Sequence, residues 1–152
     1  MTLKSTFYIN LYTRDLNRVI GEINAYHDEE DIWKVLPGTL NSAGHLIQHL
    51  IGNLKTYIGN PLAGIGYVRN RDAEFTVRSF SKAQFLDTLD EVIQIINAAL
   101  HNKTDEELTA VYSGNDLSIS PDQTIDVVLL HLLAHLSYHL GQINYQRRYF
   151  QS

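Results

Sequence analysis

The sequence predicts an all-α fold, a four-helix bundle with a long loop between its second and third helices. Apolar residues recur at helical spacing in four stretches of about 18 to 28 residues. Two capping boxes, Ser81-Lys-Ala-Gln84 and Ser120-Pro-Asp-Gln123, mark the starts of the third and fourth stretches. No internal repeat divides the chain. Its 152 residues suit a single domain over 1–152, with enough length for a sizeable core and too little for two.

The first helix covers about residues 3–26. Phe7, Leu11, Ile20 and Ile23 fall near helical spacing, Leu16 and Val19 fill the gap, and Arg14, Asp15 and Arg18 take the remaining surface. The acidic stretch His27-Asp-Glu-Glu-Asp31 has ligand chemistry but reads better as a solvated helix end and turn. Trp33 is expected to cover one end of the core, and Pro37-Gly38 breaks any helix. A second helix begins among the cap residues Thr39 to Ser42. It runs through Leu46, Ile47, Leu50, Ile51 and Leu54 to about Ile58, where Gly59-Asn60-Pro61 ends it.

Residues 61–80 read as a long loop carrying Gly64, Gly66, a basic cluster of Arg69, Arg71 and Arg78, and a short alternating piece from Phe75 to Arg78. Loops of this length are often lids or binding loops. The arginines could meet a carboxylate or phosphate, the plainer reading being a solvated, salt-bridged loop. The third helix starts at Ser81, with Phe80 stapled onto Phe85, and buries Leu89, Val92, Ile93, Ile96 and Leu100. A turn-rich connection over 102–120 leaves room for a short hairpin. The fourth helix then takes Pro121 at its first position and continues to about Tyr149. Core contributions are expected from Leu11, Ile47, Leu50, Ile93, Ile96, Leu132, Leu136 and Ile143.

Composition limits the chemistry. A net charge of −5, from 12 basic and 17 acidic residues, argues against a general nucleic-acid surface. The absence of cysteine removes disulfides, thiolate ligands and cysteine nucleophiles, so any metal must rest on nitrogen and oxygen donors. No signal-peptide h-region and no apolar run of transmembrane length is present, which makes a cytoplasmic protein without a membrane partner the expectation.

The fourth helix carries His131-Leu-Leu-Ala-His135-Leu-Ser-Tyr-His139-Leu-Gly-Gln142, three of the seven histidines at four-residue spacing. That spacing places them along one stripe drifting by about 40° per step. His139 falls within the apolar face, His135 at its edge and His131 outside it, so His135 and His139 are the pair that looks inward. Neutral imidazoles one turn apart can share one ion, although core histidines with both nitrogens hydrogen-bonded would give the same pattern. The second helix offers His45 and His49, of which His49 lies nearer the apolar arc, about 60° from its edge.

Two motifs then stand together: Asn41-Ser-Ala-Gly-His-Leu-Ile-Gln-His49-Leu-Ile-Gly-Asn-Leu and His135-Leu-Ser-Tyr-His139-Leu-Gly-Gln142-Ile. In these motifs and in its helix order the chain resembles the DinB superfamily. The resemblance implies an up-down-down-up bundle, usually dimeric, that holds a divalent metal on three histidines, here His49, His135 and His139. Many relatives have His-Arg-Gly-Gln where this chain has His139-Leu-Gly-Gln142, so a role for that arginine does not carry over. Characterised relatives include mycothiol-dependent maleylpyruvate isomerase and bacillithiol S-transferases.

A three-histidine ion keeps open positions and can make a nucleophile from water or a thiol at neutral pH. The expected function is therefore a metal-dependent enzyme, a thiol-dependent S-transferase or a small-molecule hydrolase, acting on a small thiol or electrophile. Imidazole donors suit zinc, nickel, copper and iron alike, so the expected divalent ion, zinc, nickel, iron or manganese, is not named by the sequence. No glutamate separates His135 from His139, which excludes the helical metalloprotease arrangement. Gln142 lies one turn past His139, either to hydrogen-bond a ligand or metal-bound water or as a helix-surface amide. The opposing expectation is a non-enzymatic, dimeric, stress-associated binding bundle.

Overall fold

The computed structural model describes residues 2–120 and 122–151. Six α-helices are present among them: α1 (Leu3–Asn24), α2 (Ala43–Leu54), α3 (Arg71–Thr76), α4 (Lys82–Leu100), α5 (Asp105–Leu108) and α6 (Ile125–Phe150). A 3₁₀ turn, Glu29–Trp33, follows α1, and a π-helical segment, Lys55–Ala63, prolongs α2. The fold is all-α, with no strand among the described residues. Val111 and Thr124 form an isolated antiparallel bridge where a hairpin had room to form.

The long helices pack as their apolar stripes require. α1 lies against α4 and α6, α2 against α6, and the π-helical segment against α4. Tyr12, Leu16, Val19 and Ile23 meet Ile47, Leu50, Leu89, Ile96, Leu132, Leu136 and Ile143 in one cluster of buried residues. Of the expected core, Leu11 is only half-buried: Tyr12 takes the inward position and donates its hydroxyl to the Leu129 carbonyl at 2.6 Å. Phe7 is likewise exposed. Asp15, 1% exposed, links α1 to α6 through the Ser137 hydroxyl, 2.9 Å away, and its charge is matched by Arg14 and Arg18. Trp33 is buried at one end of the core, its ring so close to Gly44 that a Cβ there would lie 2.6 Å from it.

Helix starts follow cap chemistry where the flanking backbone allows it. Ser81 and Gln84 form their reciprocal capping box, and Phe80 stacks on Phe85 with ring centroids 5.0 Å apart. Ser42 caps α2 by accepting from the His45 amide. The second box does not start the last helix. Pro121 lies outside the described residues, and α6 begins at Ile125 with Thr124 as its cap residue. The backbone before it is tied sideways instead: the Tyr112 amide donates to the Gln123 carbonyl at 2.9 Å and the Ile125 amide to the Ala110 carbonyl at 3.0 Å. That pairing holds the segment extended until Ile125.

The second helix does not stop at Gly59-Asn60-Pro61. It widens into the π-helical segment and ends at Gly64, in the left-handed region at φ 64°. Pro61 lies inside this segment and has no amide hydrogen to donate. The Tyr112 hydroxyl ties the segment from the side, donating to the Tyr57 carbonyl at 2.8 Å. Gly59 serves packing here, because a Cβ would lie 2.5 Å from Ile65 and 3.2 Å from Ile95. The remaining stretch to Phe80 is also more ordered than a loop, since it contains α3, capped by Asn70 through the Ala73 amide at 3.1 Å.

Candidate metal centre

α2 and α6 lie side by side, and the inward stripes of both carry histidine. His49 Nε2 is 3.1 Å from His135 Nε2, and His139 Nε2 is also 3.1 Å from His135 Nε2. One nitrogen from each of the three lies within 4.8 Å of the other two, and the group could hold a metal ion. Donors about 2.0–2.1 Å from one ion lie about 2.9 to 3.4 Å apart at octahedral or tetrahedral angles, a range that includes the observed spacing. His49 is buried, and His135 and His139 are half-buried.

The far side of two rings is fixed. His49 Nδ1 lies 2.9 Å from Glu74 Oε2, and His139 Nδ1 lies 2.6 Å from Gln142 Oε1. An acceptor at Nδ1 places the proton there and leaves the Nε2 lone pair turned toward the other rings, the tautomer a metal ligand needs. Gln142 therefore orients His139, a role outside both expectations for it. His135 Nδ1 is buried and has no hydrogen-bond partner among the described residues.

Glu74 reaches His49 because α3 is anchored to α2. Gln48, next to His49, donates its amide to the Glu74 and Val77 carbonyls at 2.9 and 2.8 Å and accepts from the Ser79 amide at 2.8 Å. Arg69 grips the Glu74 carboxylate with two bonds, Nε to Oε1 at 2.7 Å and Nη2 to Oε2 at 3.0 Å. Phe75 covers His49, with ring centroids 5.0 Å apart. Gly52 makes this approach possible, since a Cβ there would lie 2.1 Å from Glu74 Oε1.

Electrostatics keep the site ready for a cation. Burial, then the neighbouring His139 and His49, push the His135 pKa down to about 4. Burial also lowers that of His139, against the hydrogen bond to Gln142. For Glu74 burial works upward, but the hydrogen bonds from His49 and Arg69 and their charges hold its carboxyl below the ordinary range. At neutral pH this means two neutral imidazoles and an ionised carboxylate.

The remaining expected residues are elsewhere. His131 is exposed on α6. His45 Nδ1 is 3.0 Å from the Ser42 hydroxyl, and its ring stands edge-on to Trp33 at 5.5 Å. The basic cluster does not converge: Arg69 holds Glu74, Arg78 pairs with Glu30 at 2.9 Å, and Arg71 lies over the Phe75 ring. Glu74 is the functional residue that sequence reasoning missed, whereas Arg69, expected to meet a carboxylate or a salt bridge, does so at Glu74. The available signal was the Asn70 cap followed by the acidic first turn of α3.

Beside His139 and Gln142 opens a cleft of about 710 Å³. Leu36, Leu40, Leu46, Tyr138 and Tyr145 line it together with Gln146. Its size suits a small molecule. No described helix is long and apolar enough to cross a membrane.

No curated protein matches the chain. A family model described as a protein of unknown function (DUF1572) matches residues 7–152.

Proposed function

Because the chain belongs to that family, DUF1572, whose description names no reaction, we propose a function from the site itself: a divalent-metal-dependent enzyme acting on small molecules, as a thiol-dependent S-transferase or a hydrolase. The observation that carries this reading is the convergence of the His49, His135 and His139 Nε2 atoms, two of them oriented from behind by Glu74 and Gln142, beside a cleft of ligand size. The same reading places the chain in the DinB superfamily, as a single-domain four-helix bundle of up-down-down-up order in the cytoplasm. Helix packing, α1 beside α4 and α6 with α2 beside α6, is consistent with it.

In this reading His49, His135 and His139 hold zinc, nickel, iron or manganese. A divalent ion bound there supplies Lewis acidity, which lowers the pKa of a water or thiol at neutral pH. Glu74, locked by Arg69, keeps the His49 proton on Nδ1. Gln142 does the same for His139. Phe75 and the α3 segment shield the His49 side from water, leaving the cleft beside His139 as the approach for substrate.

A second reading, a non-enzymatic homodimeric bundle, is favoured by one observation. Val127, Leu130, Tyr138 and Tyr145 form an exposed stripe along α6. Metal analysis of protein purified without a histidine tag, followed by turnover assays with bacillithiol, mycothiol and simple thiols against small electrophiles, separates the two. Metal retention with turnover supports the enzyme. Metal-free protein that dimerises through α6 supports the bundle.

A further inference from the structure

We propose that the outward face of α6 pairs antiparallel with the same face of a second copy of the chain, about a two-fold axis at Ser137 and Tyr138. Val127, Leu130, Ala134, Tyr138, Gly141 and Tyr145 are all exposed and follow one another at steps of three and four residues, so they form one straight stripe along the helix. No lysine, arginine, aspartate or glutamate occurs from Val127 to Gln146. A helix packed on a core by one face ordinarily carries charge on the other. This one is apolar on both, the pattern of a helix covered from two sides.

Charge selects a second copy as the cover. Asp122 and Asp126 lie at the start of α6 and Arg147 and Arg148 at its end. An antiparallel copy sets Arg148 beside the partner's Asp126, whereas a parallel copy sets like charges together. The same axis brings Ala134 against the partner's Gly141 and Leu130 against the partner's Tyr145, and each pair occurs twice, as a two-fold contact requires. Glycine is unfavourable inside a helix, and the fold of one chain does not require it at 141, where a Cβ would meet nothing within 4 Å. Opposite Ala134 it allows two helices to approach closely.

The area is sufficient. Leu130, Tyr138 and Tyr145 are 60%, 65% and 75% exposed, and Leu40, which shares the cleft with both tyrosines, is 90% exposed. With Val127 they present on the order of 600 Å² per copy, and a pair buries about 1,200 Å², the size of a small specific interface. A membrane surface fits less well, because interfacial helices flank their apolar face with lysine and arginine. The pairing does not depend on the metal reading, and it takes from the proposed function only the cleft as the substrate's place. Tyr138, Gly141 and Tyr145 belong to both stripe and cleft, so the partner's Leu130, set against Tyr145, stands at the cleft's rim.

Analytical ultracentrifugation of the untagged full-length protein at micromolar concentrations tests this. Wild type should sediment as a dimer. Leu130→Glu and Tyr145→Lys, both at exposed positions, should each raise the dissociation constant at least about ten-fold. An equimolar mixture of the two variants should recover the dimer, because the new charges meet across one side of the axis while the other side keeps its Leu130 and Tyr145 contact. Gly141→Leu, which favours the helix, should also weaken the dimer, and so separates pairing from folding. Monomeric wild type, a dimer that none of these variants weakens, or weakened variants that the mixture does not rescue would overturn the pairing. Monomeric wild type that binds phosphatidylcholine vesicles would overturn it in favour of a membrane surface. Zinc retention is measured on the same preparations. Zinc kept without dimerisation refutes the pairing alone, and dimerisation without zinc refutes the metal reading alone.

Discussion

Glu74 Oε2 sits 2.9 Å from His49 Nδ1 across 25 residues of sequence, and the carboxylate is 6% exposed. A buried carboxylate is tolerated only when paired, and this one is paired twice, with His49 and with Arg69. It sets the tautomer of one of the three converging imidazoles. Glu74→Gln should therefore lower zinc affinity by about 10- to 100-fold, as measured by competition with a chelating dye. Unchanged affinity would reduce Glu74 to a structural role.

Gly52→Ala separates stability from function at the same place. Alanine favours a helix over glycine by about 1 kcal/mol, yet its Cβ would press on Glu74 Oε1, 2.1 Å away. The expected result is a weakened metal site as in Glu74→Gln, without the gain in urea stability that the helix propensity alone would give.

Single alanine replacements of His49, His135 and His139 should each release the metal during dialysis, whereas His45→Ala and His131→Ala should retain it. Elemental analysis of the dialysed variants measures this. Release from His131→Ala equal to that from His135→Ala would contradict the assignment.

Acid should destabilise the metal-free protein in a defined window. His135 titrates at about 4 in the folded chain, against about 6.5 when unfolded. Between these values the unfolded chain binds a proton that the folded one does not, so stability falls as pH drops from about 6.5 and levels off below about 4. Melting temperatures from pH 7.5 to 4 should show this slope, and His135→Gln should flatten it. An unchanged slope in the variant would assign it to other groups.

Tyr112→Phe removes the hydroxyl that donates to the Tyr57 carbonyl in the π-helical segment. The expected cost is about 1 kcal/mol in urea unfolding. A loss within error would mean the carbonyl finds another donor.

Much of this was legible in the sequence because it is local. Ser81 with Gln84, Phe80 with Phe85, and the spacing of His135 and His139 are decided within one or two turns of helix. His49 was legible only as the better of two histidines on its helix. What escaped depends on distant partners. The π-helical continuation past Pro61 is tied by the distant Tyr112, the late start of α6 by Ala110 and Tyr112, and the Glu74 position by Gln48 and Arg69. No periodicity reports a contact between an acid in a short helix and an imidazole two dozen residues earlier.

Metal stoichiometry in untagged protein tests most directly whether the His49, His135 and His139 Nε2 atoms form one divalent-metal site. After incubation with zinc, nickel, iron or manganese and exhaustive dialysis, wild-type protein should keep about one ion per chain, and the His49→Ala/His135→Ala/His139→Ala variant, still helical by circular dichroism, should keep none. Wild-type protein that retains no ion under any of these conditions, or a triple variant that retains as much as wild type, would contradict it.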